Sequence, residues 1–480
     1  MPEASLPLYE QVAGRIATLV TEGTFRPGER VPSLRRLSRQ LQVSLNTVKE
    51  AYALLEDRRV LEARPQSGYY VRGRLPEIPA EPKLNPPALA PTEVSTGQLF
   101  RMVLRDSLDP QLLPFGIAIP NPDLLPVARL NRMLSEETRR HPLPSVSYAI
   151  PPGYERLRQQ IAQRMLAAGC ALHPEQIVIT SGCAEAVALA LRALCRPGDT
   201  VAIETPVYFN FLQLIEDLQL KTLEIPTSPL TGISLDALDY ALESHPGQVK
   251  ACLVISNFHN PLGGTLGDDD KERLVALLER HGVPLIEDDI YGDLSFSDQR
   301  PSVAKAWDKS SNVLLCSSFS KTLAPGYRVG WIASGRYQEQ IERAKMITNV
   351  ATATPPQLAI AAFLANGGYD RHLRSIRRVY ARQVAQMADA IGRHFPEGTR
   401  VTRPQGGFVL WVEMPAGIDS RRLYERAKRE RISIAPGPLF SATGRFGNCL
   451  RLNAAFYSEK AEGAVETLGR IAKELVGVGG

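Results

Sequence analysis

The sequence has no Cys-x-x-Cys pair, no run approaching the ~18 apolar residues of a membrane span, and no basic start leading into an apolar core. Its six cysteines, Cys170, Cys183, Cys195, Cys252, Cys316 and Cys449, are scattered through apolar segments. That spacing argues against a zinc site or a disulfide framework and for buried free thiols. The opening residues, MPEASLPLYEQ, do not read as a secretory leader. The expectation is a cytoplasmic protein in a reducing compartment, with no membrane partner and no metal. Internal repeats are lacking too, and low complexity is confined to one short segment.

Net charge is scarce where most of the chain lies. The formal net charge is +5, but residues 1–75 hold twelve Lys/Arg against eight Asp/Glu, a balance of +4 that leaves +1 for the other 405 residues. The basic excess therefore sits at the N-terminus, where local charge favours a polyanionic partner. With 480 residues, 44% hydrophobic and 22% charged, the chain is long enough for several globular units.

Six prolines between Pro76 and Pro91 (PEIPAEPKLNPPALAP) cannot continue a helix or a central strand, and read as a stiff, extended spacer. Ahead of it, Leu8, Val12, Ile16, Leu19 and Val20 recur at helical spacing up to Gly23, and Ser33 precedes a second helical stretch, LRRLSRQL. A third stretch follows Ser44, with Val48, Ala51, Tyr52 and Leu55 as its apolar stripe. Val60–Ala63, the turn Pro65-Gln66-Ser67-Gly68, and Tyr69-Tyr70-Val71 complete a hairpin. Three helices and a hairpin make a winged helix-turn-helix. Boundaries of 1–75 for this unit, 76–98 for the linker and 99–480 for the remainder follow.

Beyond the spacer, short apolar runs alternate with amphipathic stretches. The clearest runs are Gln176–Ile179, Thr200–Ile203, Cys252–Ile255, Val283–Ile286 and Val313–Cys316. Continuous apolar strands joined by helical crossovers predict an α/β fold with a mostly parallel sheet, covered on both faces. Ligands of such sheets bind beyond the carboxyl ends of the strands, so the residues after each run matter most.

After Ile179 come Thr180-Ser181-Gly182-Cys183 and a helix beginning Ala184-Glu185, an arrangement that offers free N–H groups to a phosphate or merely caps a helix. After Ile203 comes Tyr208, a ring at the rim or simple packing. After Ile255 the chain reads SNFHNPLGG, containing Asn260 among ordinary turn residues. Glu287-Asp288-Asp289-Ile290-Tyr291 follows Ile286, and carboxylates there either serve a ligand or pair with an arginine. SSFSKTLAPGYRVGW follows Cys316 and holds Ser318, Ser320, Lys321 and Arg328. A lysine at such a rim is a nucleophile for an aldehyde, or an ordinary surface residue. Together the set describes a phosphate cradle, an aromatic platform, a carboxylate for a ring nitrogen and an amine for an aldehyde. The ligand with all four needs is pyridoxal 5′-phosphate.

With these motifs the chain resembles the MocR subgroup of GntR-type transcription regulators, over about residues 8–72 and 110–475. The resemblance implies a winged helix-turn-helix joined to a fold-type I aminotransferase-like domain with a smaller C-terminal α+β subdomain. It implies Lys321 as the lysine bonded to the cofactor, Asp288 as partner of the pyridine nitrogen, and Tyr291 with Asn260 on the ring hydroxyl. Tyr208 would stack on the ring, and Gly182, Cys183, Ala184, Ser318, Ser320 and Arg328 would hold the phosphate. Tyr148, in YAIPPG, resembles a tyrosine that reaches the neighbouring subunit's phosphate. Arg451, in CLRLNAAF, resembles the arginine that grips a substrate carboxylate, the plainer alternative being a structural ion pair. In PSLRRLSRQLQVSLNTVKEAYALLE, Arg35, Ser44, Asn46, Thr47 and Lys49 would face double-stranded DNA, with Gly68 at the wing tip.

Two departures qualify the resemblance. Leu45 stands where many relatives carry an arginine, so a bidentate guanine contact is lost there. Cys183-Ala184-Glu185 replaces the serine and glutamine frequent in catalytic aminotransferases. The expectation is a homodimeric regulator that senses pyridoxal phosphate, an amino compound, or both. The alternative is a working amino-acid aminotransferase.

Overall fold

The computed structural model describes residues 7–21, 24–25, 29–58, 60–64, 67–72, 79–83, 86–94, 97–107 and 109–476. Gly23, Pro65, Gln66 and Pro76, which the sequence reading used as punctuation, lie outside them. The first unit consists of α1 (Leu8–Thr21), α2 (Leu34–Leu41), α3 (Leu45–Asp57) and the hairpin β1 (Leu61–Arg64) and β2 (Gly68–Val71). Ser33 and Ser44, both in extended backbone, start the second and third helices by accepting the N–H of Arg36 at 3.4 Å and of Thr47 at 3.0 Å. The apolar stripes then close on one another, burying Val12, Ile16, Leu37, Val48, Tyr52, Leu55, Leu61 and Val71. A bridge from Arg30 to Tyr70 widens the wing, a feature the hairpin pattern alone did not contain.

The proline-rich segment is no free spacer. Ala80 accepts from the Val401 N–H at 3.0 Å, and Pro79 and Pro86 carbonyls accept from Arg403 and Arg445 at 2.7 and 2.8 Å. Lys83 N–H donates to Glu413 at 2.7 Å, and Thr92 and Thr222 exchange backbone hydrogen bonds at 2.8 and 2.9 Å. Proline removes a donor but keeps its carbonyl, so such a run can be strapped down by arginines.

The large unit begins with the helix Gly97–Ser107 and β3 (Leu113–Pro114) and then builds an eight-stranded sheet: β4 (Ile177–Thr180), β5 (Thr200–Thr205), β6 (Lys221–Ser228), β7 (Gly232–Ile233), β8 (Val249–Val254), β9 (Leu285–Asp288), β10 (Val313–Ser318) and β11 (Gly330–Ala333). Its order is β4-β11-β10-β9-β8-β5-β6-β7, with β6, β5, β8, β9 and β10 parallel and β11 antiparallel to both neighbours. Alternate residues fill different cores: Leu314 and Cys316 pack with the helix Cys183–Leu194, while Leu315 faces Leu157 and Ile161. Coverage of both faces explains why these strands read as unbroken apolar runs.

A smaller sheet of β12 (Arg400–Val401), β13 (Val409–Glu413), β15 (Ala435–Pro436) and β16 (Cys449–Asn453) carries the C-terminal core, while β14 (Ile432–Ser433) pairs with β3. The 27-residue helix Gly368–His394 contributes to the cores of both parts. No helix among the described residues is long and apolar enough to cross a membrane.

Candidate functional site

Strand register assembles the site. Gly330 of β11 pairs with Thr180 on one side and Ser318 on the other, so the ends of β4 and β10 stand side by side. The antiparallel course of β11 also brings Arg328, just ahead of it, to the same rim. A side chain at Gly330 would lie 2.5 Å from the Gly182 carbonyl carbon and 2.8 Å from the Cys183 nitrogen, so only glycine fits. Gly182 has φ +92°, and a Cβ there would lie 2.5 Å from Arg328 Nη2. No side chain caps the helix Cys183–Leu194, leaving its first N–H groups directed at the cavity.

That cavity, of about 120 Å³, is lined by Cys183, Ala184, Tyr208, Asn260, Asp288, Tyr291, Ser320, Lys321 and Arg328 among the expected residues. Phe211, Ile255 and Ile290 also line it and were not anticipated, because nothing distinguishes them from core residues. Ser318 sits just behind, its hydroxyl accepting from the Ser320 N–H at 3.2 Å. Arg328 donates to the Ser181 carbonyl at 2.9 Å and approaches the Ser320 hydroxyl at 3.4 Å.

Asp288 accepts from the Ile290 N–H at 2.9 Å and the Cys183 thiol at 3.3 Å. Burial raises its pKa to about 7, against the opposing pull of those two hydrogen bonds and of Lys321. Its neighbour Asp289 is held instead by Arg300 and, at 2.7 Å, by Asn257. The structural pair considered for this carboxylate cluster thus belongs to Asp289, and Asp288 is left to the cavity.

Lys321 is half-buried and donates to the Ala118 carbonyl. Burial first, then Arg451, bring its pKa down to about 8, with Asp288 acting oppositely. The turn after it is fixed from behind. Tyr369 OH lies 2.8 Å from both Thr322 Oγ1 and Asp293 Oδ2, and His372 Nε2 lies 2.8 Å from the Thr322 carbonyl oxygen.

Arg451 is fully buried between the rings of Phe209 and Phe440, 5.5 and 5.1 Å from their centroids. It donates to Asn260 Oδ1 at 2.9 Å and to the Gly116 carbonyl at 2.7 Å. Its Nε has no hydrogen-bond partner, and no carboxylate lies within ion-pair distance among the described residues. Burial lowers its pKa to about 10. The structural ion pair weighed for this arginine is therefore absent. Tyr291 is likewise buried, its hydroxyl beside Asn260 but in no hydrogen bond of normal geometry among the described residues, and burial drives its pKa far up.

Some expected residues stand elsewhere. Tyr148 is 80% exposed, beside exposed Leu143, Val146 and Ile150, and does not line the cavity of its own chain. In the winged unit Arg35, Ser44, Asn46 and Lys49 are exposed, Thr47 and Gly68 half-buried, and Gly68 has φ +110°. Ser44 and Thr47 are engaged with each other, their hydroxyls 2.8 Å apart, as the cap of α3. Leu45 is 48% exposed, so it does not pack internally.

Residues 143–468 match the family described as aminotransferase class I and II, and residues 8–71 match the gntR family of bacterial regulatory proteins. The uncharacterized HTH-type transcriptional regulator YdcR of Escherichia coli is 40% identical over 97% of this chain and 99% of its own length. Aromatic-amino-acid aminotransferase 1 of Thermococcus litoralis is 30% identical over 74% of this chain and 87% of its own. Among solved structures, the α-aminoadipate aminotransferase LysN of Thermus thermophilus, complexed with N-(5′-phosphopyridoxyl)-L-leucine, superposes with a TM-score of 0.73 at 28% identity, covering 78% of this chain and 95% of that one.

Proposed function

Because the chain belongs to the aminotransferase class I and II family and carries a gntR-family regulatory domain ahead of it, we propose that it is a DNA-binding transcription regulator whose aminotransferase-like domain binds pyridoxal 5′-phosphate and reports an amino compound. The observation that carries this reading is Arg451. A fully buried cation without a carboxylate partner among the described residues, close enough to the Lys321 amine to lower its pKa, is costly unless an anionic ligand completes it.

The residues present suit the cofactor. The orphaned Tyr291 hydroxyl, with Asn260 oriented by Arg451, takes the ring hydroxyl. Asp288, a buried carboxylate at the cavity without an arginine partner among the described residues, would hold the ring nitrogen in its protonated form. The uncapped helix start at Cys183, with Ser318, Ser320 and Arg328, receives the phosphate. Tyr208 covers the ring. When bound, the cofactor supplies an aldehyde that condenses with amines and a ring that withdraws electrons from them. Lys321 supplies the resident amine, and Arg451 orients an incoming amino acid by its carboxylate, a task for a planar guanidinium rather than a point charge. In the winged unit, Asn46, Lys49, Arg35 and the cap of α3 face DNA, with Gly68 at the wing.

The chain also acts as a homodimer in this reading. The exposed apolar segment Leu143, Val146, Tyr148 and Ile150 packs against a second copy and delivers Tyr148 to its phosphate site. Sedimentation at working concentration tests this; a monomer contradicts it.

The lowered pKa of Lys321 sets the pH at which cofactor is captured. The neutral amine reacts, and it reaches half population near pH 8 rather than at the ~10.4 of a free lysine. Capture of added pyridoxal phosphate, followed by visible absorbance, is expected to accelerate as pH rises through 8. A midpoint at the free-lysine value contradicts the buried, Arg451-repelled amine.

One experiment separates regulation from turnover. The cofactor-loaded protein is titrated with amino acids while binding to its own upstream duplex is measured. Regulation predicts that cofactor or amino acid shifts DNA affinity by about 5- to 150-fold, the span of a coupling of roughly 1–3 kcal/mol. The complete lysine site favours the second reading, an active aminotransferase. That reading wins if the duplex is not bound at moderate salt while amino acids turn over at about 1 s⁻¹ or faster.

A further inference from the structure

The helix Gly368–His394 buries Leu373, Ile376, Tyr380, Val384 and Met387 on one side. From Arg371 to Ala388 it holds five arginines and no acidic residue. Arg377 turns inward and donates to the Asp293 carbonyl at 2.7 Å. The other four, Arg371, Arg374, Arg378 and Arg382, are exposed and recur at intervals of three, four and four residues, so they form one stripe.

An ordinary solvated helix face mixes signs, because like charges four residues apart repel and opposite charges attract. Here the two acids on the helix are already engaged, Asp370 with Arg164 at 2.8 Å and Asp389 with Arg393 at 3.2 Å. None of the four stripe guanidiniums has a carboxylate within ion-pair distance among the described residues. A self-repelling stripe on a helix whose other face is fully packed is best completed by a polyanion.

Two observations indicate which one. The stripe advances eleven positions along the helix, about 16 Å at the ~1.5 Å rise per residue, long enough for its four guanidiniums to reach several phosphates bordering one groove of a duplex. At Arg378 it also comes near the winged unit. Arg378 is close enough to Tyr9 on α1 to oppose the rise in that phenol's pKa caused by burial and Glu10.

We propose that this arginine stripe is a second binding surface for the DNA backbone, on the aminotransferase-like domain, independent of base sequence. The inference rests on the reading of the chain as a DNA-binding regulator and extends the contact surface beyond its N-terminal unit.

The test compares full-length wild type with R371Q/R374Q/R378Q/R382Q, with the milder R374Q/R378Q, and with R421Q/R422Q/R429Q, which removes exposed arginines from the helix Ser420–Arg429. Each is titrated with a 60-base-pair duplex of the protein's own upstream region, and with a random duplex of equal length, across a range of salt. Uptake of pyridoxal phosphate, read by visible absorbance, certifies the fold of each variant.

Each lost phosphate contact lowers the slope of log K against log salt by about 0.9, so the quadruple variant is expected to lose about two to four units on both duplexes. The comparison set should lose less than about one unit. A fall below about one unit in the quadruple variant, or an equal fall in the comparison set, overturns the proposal. So does loss of binding to anionic phospholipid vesicles with an unchanged DNA slope, which assigns the stripe to a membrane surface. If wild type binds neither duplex, the regulator reading fails first, a result distinct from a bound duplex with an unaltered slope.

Discussion

Lys321→Ala is expected to abolish covalent capture of pyridoxal phosphate. Purified variant should gain no visible absorbance on adding the cofactor and should retain no covalent pyridoxyl mass after borohydride reduction and dialysis, and its DNA affinity should no longer respond to cofactor. No other lysine can substitute, because Lys321 is the only one lining the cavity among the described residues. The same substitution has a second, opposite consequence for the unliganded fold. The folded-state pKa of about 8 lies below the ordinary 10.5, so between these values the unfolded chain binds more protons and stability rises with pH. Below pH 8 the cost of the buried charge is fully present, up to about 3 kcal/mol at ~1.36 kcal/mol per unit, reduced by partial solvent access. Cofactor-free Lys321→Ala should therefore melt above wild type at pH 7, and the gap should narrow toward pH 10. Equal melting at both pH values, or retained covalent capture, contradicts the assignment.

Arg451→Met should separate stability from sensing in the same way. Its guanidinium is enclosed by Phe209 and Phe440, holds Asn260 and the Gly116 carbonyl, and leaves Nε unpartnered. Methionine occupies the aromatic slot without a charge to desolvate but leaves Asn260 Oδ1 and the Gly116 carbonyl without their donor, at about 1–3 kcal/mol each, so the two effects oppose and the unliganded protein should melt close to wild type. Affinity for any amino acid bound through its carboxylate should fall by about 2–5 kcal/mol, or roughly 30- to several-thousand-fold. Arg451→Lys should recover little of it, because a point charge cannot form the two-pronged contact. Calorimetry of amino-acid binding to the cofactor-loaded protein measures the second effect and thermal melting the first. An Arg451→Met protein that melts far below wild type and still binds amino acids would make Arg451 a structural residue.

The strands that the sequence revealed belong to the sheet covered on both faces, where burial on each side writes a continuous apolar run; β13 in the smaller sheet carries such a run too, Phe408–Val412, and was not singled out. β6 escaped because Glu224 and Pro226 interrupt it. The glutamate is explained by its partners, Thr205, Ser441 and the Ala442 N–H, which come from distant parts of the chain. β11 escaped because its four residues begin on a glycine and carry no β-branched run beyond Ile332. Asp288 and Asp289 could not be told apart by type. Their difference lies in what surrounds each, a cavity for one and Arg300 for the other.

The sequence by itself determined the winged unit, the parallel core of the large domain, and the identities of the residues at the strand ends, because turn residues, caps and apolar periodicity act over a few neighbouring positions. It also determined that the proline-rich segment would be neither helix nor central strand. Tertiary structure alone decided that Gly330 inserts between Thr180 and Ser318, that β11 runs backwards and so delivers Arg328 to the rim of the cavity, and that Arg451 has no carboxylate beside it among the described residues. It decided, too, that the proline segment is strapped to the large domain. Each of these depends on contacts between residues far apart in the chain, where register, burial and the presence or absence of an opposing charge are fixed only when the whole chain has closed.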